Sequence, residues 1–217
     1  KDGIKLKGLW RTVFMMTIAV PQFISLSTIA KMLQTGGMGV LNNIYESSTG
    51  VSLGFAESIK NDALITKIII IVVNIWVGIP YTILSTTGIL MNIPKDLYES
   101  SRIDGAGPGT QFFKITMPYI LFVTGPSLIT NFIGNFNNFG VIFFLTGGAP
   151  KRVGTSAMAP GYTDLFITYI YTLVTGDTYK YYNVASALGI IIFIVCSFIS
   201  IIMYNKTGAV AKEDQFQ

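Results

Sequence analysis

VASALGIIIFIVCSFISIIMY, the stretch from Val184 to Tyr204, holds 21 residues and no charge. As a helix rising 1.5 Å per residue it reaches about 31 Å, enough for one crossing of a bilayer's hydrocarbon core. Working outward, three more segments are long and apolar enough to cross: Arg11 to Leu33, interrupted by Pro21; Leu64 to Met91, containing Asn74, Gly78 and Pro80; and Phe112 to Leu145, with Gly and Asn in its later half. The fold class this predicts is all-α, a polytopic membrane helix bundle of about four spans. Val184–Tyr204 is the plainest of them and reads as a supporting helix. The second and third spans carry Pro, Gly and Asn at mid-depth. Such groups persist there only where they face protein or a water-filled cavity, so these two are the candidates for lining a path.

Composition agrees. Hydrophobic residues make up 51% of the 217 and charged residues only 12%, against about 25% charged in soluble domains. The formal charge is +4, but the Lys and Arg residues are scattered through the connections between apolar runs. No basic face forms, which argues against nucleic-acid binding. The single cysteine, Cys196, permits no internal disulfide, and the absence of His removes His-based triads and most zinc sites.

The same charges orient the chain. With the N-terminal end in the cytoplasm, the inner pieces hold Lys1, Lys5, Lys7, Arg11, Lys95, Arg102, Lys114, Lys206 and Lys212, and the outer loops hold Lys60, Lys151, Arg152 and Lys180. The excess of Lys and Arg marks the cytoplasmic side. The stretch 92–118 is then cytoplasmic, and the connections 34–63 and 147–183 lie outside. Tyr169, Tyr171, Tyr179, Tyr181 and Tyr182 are candidates for an interfacial aromatic belt. Lys1 in place of Met, with no signal-peptide pattern after it, reads as a start inside a longer protein.

From Ile93 to Pro108 the sequence reads as helix, turn, helix. Asn92 is the expected N-cap and Pro94 suits the first turn. Leu97, Tyr98 and Ser101 share a face. Gly105-Ala106-Gly107-Pro108 stops the helix, and a second short one begins near Gly109 or Thr110.

Glu99, Ser100, Ser101, Gly105, Ile115, Met117 and Pro118 resemble the EAA loop of binding-protein-dependent ABC permeases, with Ser-Ser for Ala-Ala and Met for Leu. The resemblance implies a coupling helix that docks on a separate ATPase, with Glu99 as the charged contact, Asp104 and Gly105 in the turn, and Leu97, Tyr98 and Ala106 packing. Val20-Pro21-Gln22-Phe23-Ile24-Ser25, Asn74 to Tyr81, Asn135 to Gly140, Leu145 to Pro150 and Gly161 to Leu165 are similar, in order and spacing, to maltose-type sugar permeases. By position, the resemblance implies sugar contacts at Asn74, Gly78 and Tyr81 on the second span and at Asn131, Asn135 and Asn138 on the third. Gly134 and Ile18 stand where that family can have aromatic residues. The family core has six spans, so its first two are expected to precede residues 1–217.

Neutral sugar hydroxyls suit Asn amides and a Tyr, which donate, accept and offer a flat face. The alternative for each Asn is interhelical bonding alone, and that reading is preferred for Asn137. Trp76 reads as packing, and Pro21 and Pro80 as kinks. No Gly-x-x-x-x-Gly-Lys-Ser/Thr loop occurs, so ATP and Mg are expected on a partner ATPase, with no cofactor in this chain and no enzymatic role. The resemblance also implies as partners a second permease subunit, an extracytoplasmic solute-binding protein, the sugar and the lipid bilayer of the cell membrane. Three rival readings stand beside this one. The first keeps the family but changes the cargo to another sugar or polyol, though an anionic one calls for a mid-depth cation. A membrane scaffold would recruit a cytoplasmic partner through the loop. A secondary transporter calls for an intramembrane acid that the spans lack.

Overall fold

The computed structural model describes residues 6–33, 39–51, 61–152, 154, 159–176 and 180–206. Tyr179 of the aromatic cluster, Lys1, Lys5, Lys60 and Lys212 of the charge count, and parts of both outer connections lie outside them. The elements are α1 (Lys7–Met16), a 3-10 turn (Thr17–Ala19), α2 (Gln22–Met32), α3 (Val40–Thr49), α4 (Ala63–Asn92), α5 (Lys95–Ile103), α6 (Pro108–Gln111), a π-helical turn (Phe112–Thr116), α7 (Met117–Phe136), α8 (Phe139–Leu145), α9 (Phe166–Thr175) and α10 (Tyr182–Lys206). Among the described residues there is no strand.

Three runs are long and apolar enough to cross a membrane: Ala63–Asn92, Pro108–Leu145 and Tyr182–Asn205. The first expected span departs from this. It is divided between α1 and α2, because Val20 is extended (φ −86°, ψ 123°) before Pro21. Proline clashes with a helical conformation in the residue before it and lacks the N–H that would continue the ladder, so the chain breaks here where a kink was expected. The third run is also interrupted. Asn137 (φ −110°, ψ 24°) ends α7, and Asn138 (φ −76°, ψ 73°) starts α8 with its side chain accepting from the Val141 N–H. An Asn that bonds its own backbone competes with the helix and favours a cap.

α4 begins cleanly. Asp62 caps it by accepting from Leu64 N–H at 2.8 Å and Ile65 N–H at 3.2 Å, while the buried Thr66 hydroxyl donates to the Asp62 carbonyl at 2.6 Å. At 30 residues, α4 is about 45 Å long, more than one hydrocarbon thickness. The connections 34–63 and 147–183, expected as outer loops, contain α3 and α9. Each has ten residues, too few to register as a span.

The buried core is small and sits where α2, α4 and α8 meet: Leu26, Leu33, Val73, Val141 and Leu145, flanked by Ile29, Ala30, Ile69, Ile70, Val77 and Phe144. α9 joins it through Tyr171, whose ring lies edge-on to Phe139 and Phe143 with centroids 5.1 Å away in each case. α10 packs along α9 and α7 with Phe193, Phe198 and Ile190 left exposed. In water so much exposed apolar surface would drive association; against lipid it needs no cover.

The core therefore predicts unequal costs. Val141 is 1% exposed and Ile190 is 62% exposed. Val141→Ala should destabilise the detergent-solubilised protein by about 2 kcal/mol in thermal unfolding, and Ile190→Ala by less than about 0.5 kcal/mol. Equal shifts in midpoint would contradict this assignment of the core.

Candidate functional site

Three of the predicted asparagines meet. Asn74, about 16 Å from the start of α4, donates from Nδ2 to Asn135 Oδ1 at 3.0 Å. It accepts at Oδ1 from Asn138 Nδ2 at 2.9 Å. Asn135 donates back to the Asn131 carbonyl at 2.9 Å. Asn131 thus enters through its backbone, and its side chain is exposed. Because the helix stops at Asn137, Asn138 reaches the cluster as the cap of α8 and not as the third residue of one continuous helical face. Each interhelical amide bond is worth about 0.6 kcal/mol in a membrane, enough to set the register of two helices without locking them.

Gly78 and Tyr81 follow Asn74 on the same face of α4, at i+4 and i+7. Gly78 has open space where a Cβ would stand, and its carbonyl accepts the Thr82 hydroxyl at 3.0 Å. Tyr81 is 62% exposed. With Trp76, Val77 and Pro80 it borders a cleft of about 210 Å³ closed on the other side by Ile18, Val20, Pro21, Gln22 and Ser25. Trp76, expected as packing, lines this cleft. Asn137, expected to bond between helices, makes no side-chain hydrogen bond among the described residues and borders a groove with Ile167, Gly189 and Cys196. Among the described residues no group of His, Cys, Asp or Glu could hold a metal.

The loop at the opposite end of α4 is built differently. Asn92 closes α4, so it does not cap the next helix; Pro94 holds that position before α5. α5 ends in a two-bond cap: Ala106 N–H donates to the Ser101 carbonyl at 2.8 Å and Gly105 N–H to the Arg102 carbonyl at 3.0 Å. This pairing needs a left-handed residue, and Gly105 supplies it at φ 80°. Pro108 opens α6 at the first helical position, where no N–H is required.

A polar brace holds α5 against the start of the next span. Tyr98 Oη lies 2.8 Å from Thr116 Oγ1. Gln111 Nε2 donates to the Tyr98 carbonyl at 3.2 Å and to Ser101 Oγ at 2.9 Å. Gln111 and Thr116 are buried, and sequence reading misses both, since neither belongs to the motif; polar residues at the edge of an apolar run are the only signal. Tyr98 and Ala106 are half-buried, whereas Leu97, Glu99 and Asp104 are exposed. Ile103, four residues after Glu99 on the same outer face, is 87% exposed and was also missed.

Long apolar helices joined through a helix–turn–helix loop define a polytopic membrane protein. A family profile described as "Binding-protein-dependent transport system inner membrane component" matches residues 2–206, and the chain belongs to that family. It is similar to the maltodextrin transport system permease protein MalC of Streptococcus pneumoniae serotype 4, at 39% identity over 97% of this chain and 48% of that one. Similar too are the maltodextrin permease protein MdxF of Bacillus subtilis, at 37% identity over 99% and 49%, and the maltose/maltodextrin permease protein MalF of Vibrio parahaemolyticus, at 39% over 95% and 38%. The chain thus spans about half or less of the length of these relatives. A bacterial ABC transporter involved in the import of the acidic polysaccharide alginate shares the fold, with a TM-score of 0.69, 20% identity, and coverage of 95% of this chain and 68% of that one.

The brace makes its own prediction. Tyr98→Phe removes one hydrogen bond worth about 1 kcal/mol, so tryptic cleavage after the exposed Arg102 should run about fivefold faster. An unchanged cleavage rate would show that the Tyr98–Thr116 contact does not hold α5 in place.

Proposed function

We propose that residues 1–217 form the C-terminal portion of an ABC importer's transmembrane domain that carries a neutral, maltodextrin-like oligosaccharide across the inner membrane. The observation that carries this reading is the Asn74–Asn135–Asn138 cluster, set between two long helices and followed along α4 by Gly78 and the exposed Tyr81. The amides satisfy one another. A sugar hydroxyl both donates and accepts, so it can replace an amide in each bond with little net loss. No charged side chain takes part, which favours a neutral ligand over an anionic one. The permease relatives whose names specify maltose or maltodextrin support the same class.

The segment 92–118 is the cytoplasmic coupling loop in this reading. Glu99, with Leu97 and Ile103 beside it and Asp104 at the turn, faces the ATPase. Tyr98, Gly105 and Ala106 shape the loop that presents them. ATP and Mg belong to that partner, and the chain itself is not an enzyme. A second permease subunit and an extracytoplasmic solute-binding protein complete the machine, the latter meeting the 147–183 connection. ATP-driven closure then switches access to the site between the two sides.

A second reading draws on the same bonds: the cluster serves only to hold helices together. Asn135→Ala separates the two. In the complete transporter it should lower uptake of labelled maltodextrin about tenfold while changing the unfolding midpoint little, given about 0.6 kcal/mol per bond. Normal uptake with a lowered midpoint would favour the helix-bonding reading. For the loop, Glu99→Lys should cut co-purification of the ATPase subunit about tenfold by reversing a contact charge; undiminished recovery would remove Glu99 from the interface.

A further inference from the structure

The outer end of α8 is held by a polar knot that the sugar path does not use. Asp164 is at its centre, with a side chain only 3% exposed. Its Oδ2 accepts from Gly161 N–H at 2.7 Å and lies 3.5 Å from Lys151 Nζ. Its Oδ1 accepts from the Thr168 hydroxyl at 3.0 Å. The two glycine segments close around this carboxylate. Gly148 is left-handed at φ 80°, and a Cβ there would overlap the Asp164 side chain; a Cβ on Gly161 would overlap the Gly148 carbonyl. The neighbouring Thr163 is buried. Its hydroxyl donates to the Ala149 carbonyl at 2.5 Å and lies 3.4 Å from Thr146 Oγ1.

Thr146 is the C-cap of α8, and Asn138 is its N-cap. Only seven residues separate them, about 10 Å of helix. Val141, Ile142 and Leu145 bury one side of that helix, and Val141 and Leu145 reach the core shared with α2 and α4. A helix this short moves as a unit, with the non-helical Asn137–Asn138 pair as the place where it can pivot. A shift of the Gly147–Pro150 turn therefore displaces the Asn138 amide that donates to Asn74.

We propose that Asp164 is a positioning residue for the sugar path. By clamping the Gly147–Pro150 turn onto the 161–168 segment it fixes the outer end of α8, and α8 carries that placement to Asn138. The proposal rests on the reading of Asn138 as a sugar-facing group. It makes the knot the point at which a rearrangement of the extracytoplasmic connection is felt by the site.

The test uses the complete transporter in proteoliposomes, with its ATPase and solute-binding protein, and reads the initial rate of labelled maltotetraose uptake per transporter at saturating sugar. Asp164→Asn and Thr163→Val should each lower that rate about five- to tenfold, and Thr163→Ser, which keeps the hydroxyl, should stay within about twofold. In an Asn138→Ala background neither Asp164→Asn nor Thr163→Val should lower it further. Losses that multiply across the two positions would overturn the proposal, since the knot would then act without Asn138. A normal rate for Asn138→Ala alone would instead remove the sugar-path reading beneath it. Should Asp164→Asn fail to assemble, the isosteric Thr163→Val carries the same decision.

Discussion

Asn74 uses both ends of its amide, one toward Asn135 and one toward Asn138. In a bilayer a polar side chain without a partner is costly. Those two bonds therefore set the register of α4 against the α7–α8 break without locking it. α8 is set at an angle that presses Val141 and Leu145 into α2 and α4, where Leu26 and Val73 wait. The face of α4 that continues to Gly78 and Tyr81 is left open. A single amide thus defines both the packed side and the accessible side of the central helix.

The two long helices that meet at Asn74 also lead to the helix–turn–helix loop of α5 and α6. α4 runs unbroken from its Asp62 cap to Asn92, and α5 follows after Ile93 and Pro94. On the return, the α6–π-turn–α7 run leads from Gln111 to Asn135. The brace of Tyr98, Ser101, Gln111 and Thr116 ties α5 to the start of that returning run, while the Asn cluster joins the two long helices directly. In the proposed transport cycle, a push on α5 is shared by both helices and reaches the amides as a relative movement of two stiff bodies. Weak amide bonds suit that task, because they re-form in a new register at small cost.

Much of this was legible in the sequence, and the exceptions have physical causes. The uncharged run of α10 and the apolar run of α4 are unambiguous, since nothing but a membrane helix tolerates such lengths without charge. The turn at Gly105 was equally readable, because its left-handed dihedral is one that few residues adopt. Pro21 was recognised as a disturbance but underestimated: hydropathy averages over a proline, and only the backbone shows that α1 and α2 separate. Asn138 looked like the third member of a helical face because periodicity assumes an unbroken helix, and its own side chain ends that helix. Asn74, Asn135 and Asn138 were assembled by resemblance and come together, while Asn131 contributes its carbonyl and Asn137 faces elsewhere. Gln111 and Thr116 depend on Tyr98 and Ser101, a turn or more back along the chain, which no local pattern reports. Asp164 bonds its own neighbours Gly161 and Thr168, and only its fit against Gly148 needed the fold to be seen.

The proposed path, lined by uncharged amides, suits a neutral sugar chain. The most direct measurement is uptake of a panel of labelled compounds by the complete transporter: maltose, longer maltodextrins, a polyol, a sugar phosphate and an acidic oligosaccharide. Uptake of the neutral glucose oligomers and exclusion of the charged compounds is the expected result. Uptake of a charged compound with rejection of the neutral oligomers would contradict it.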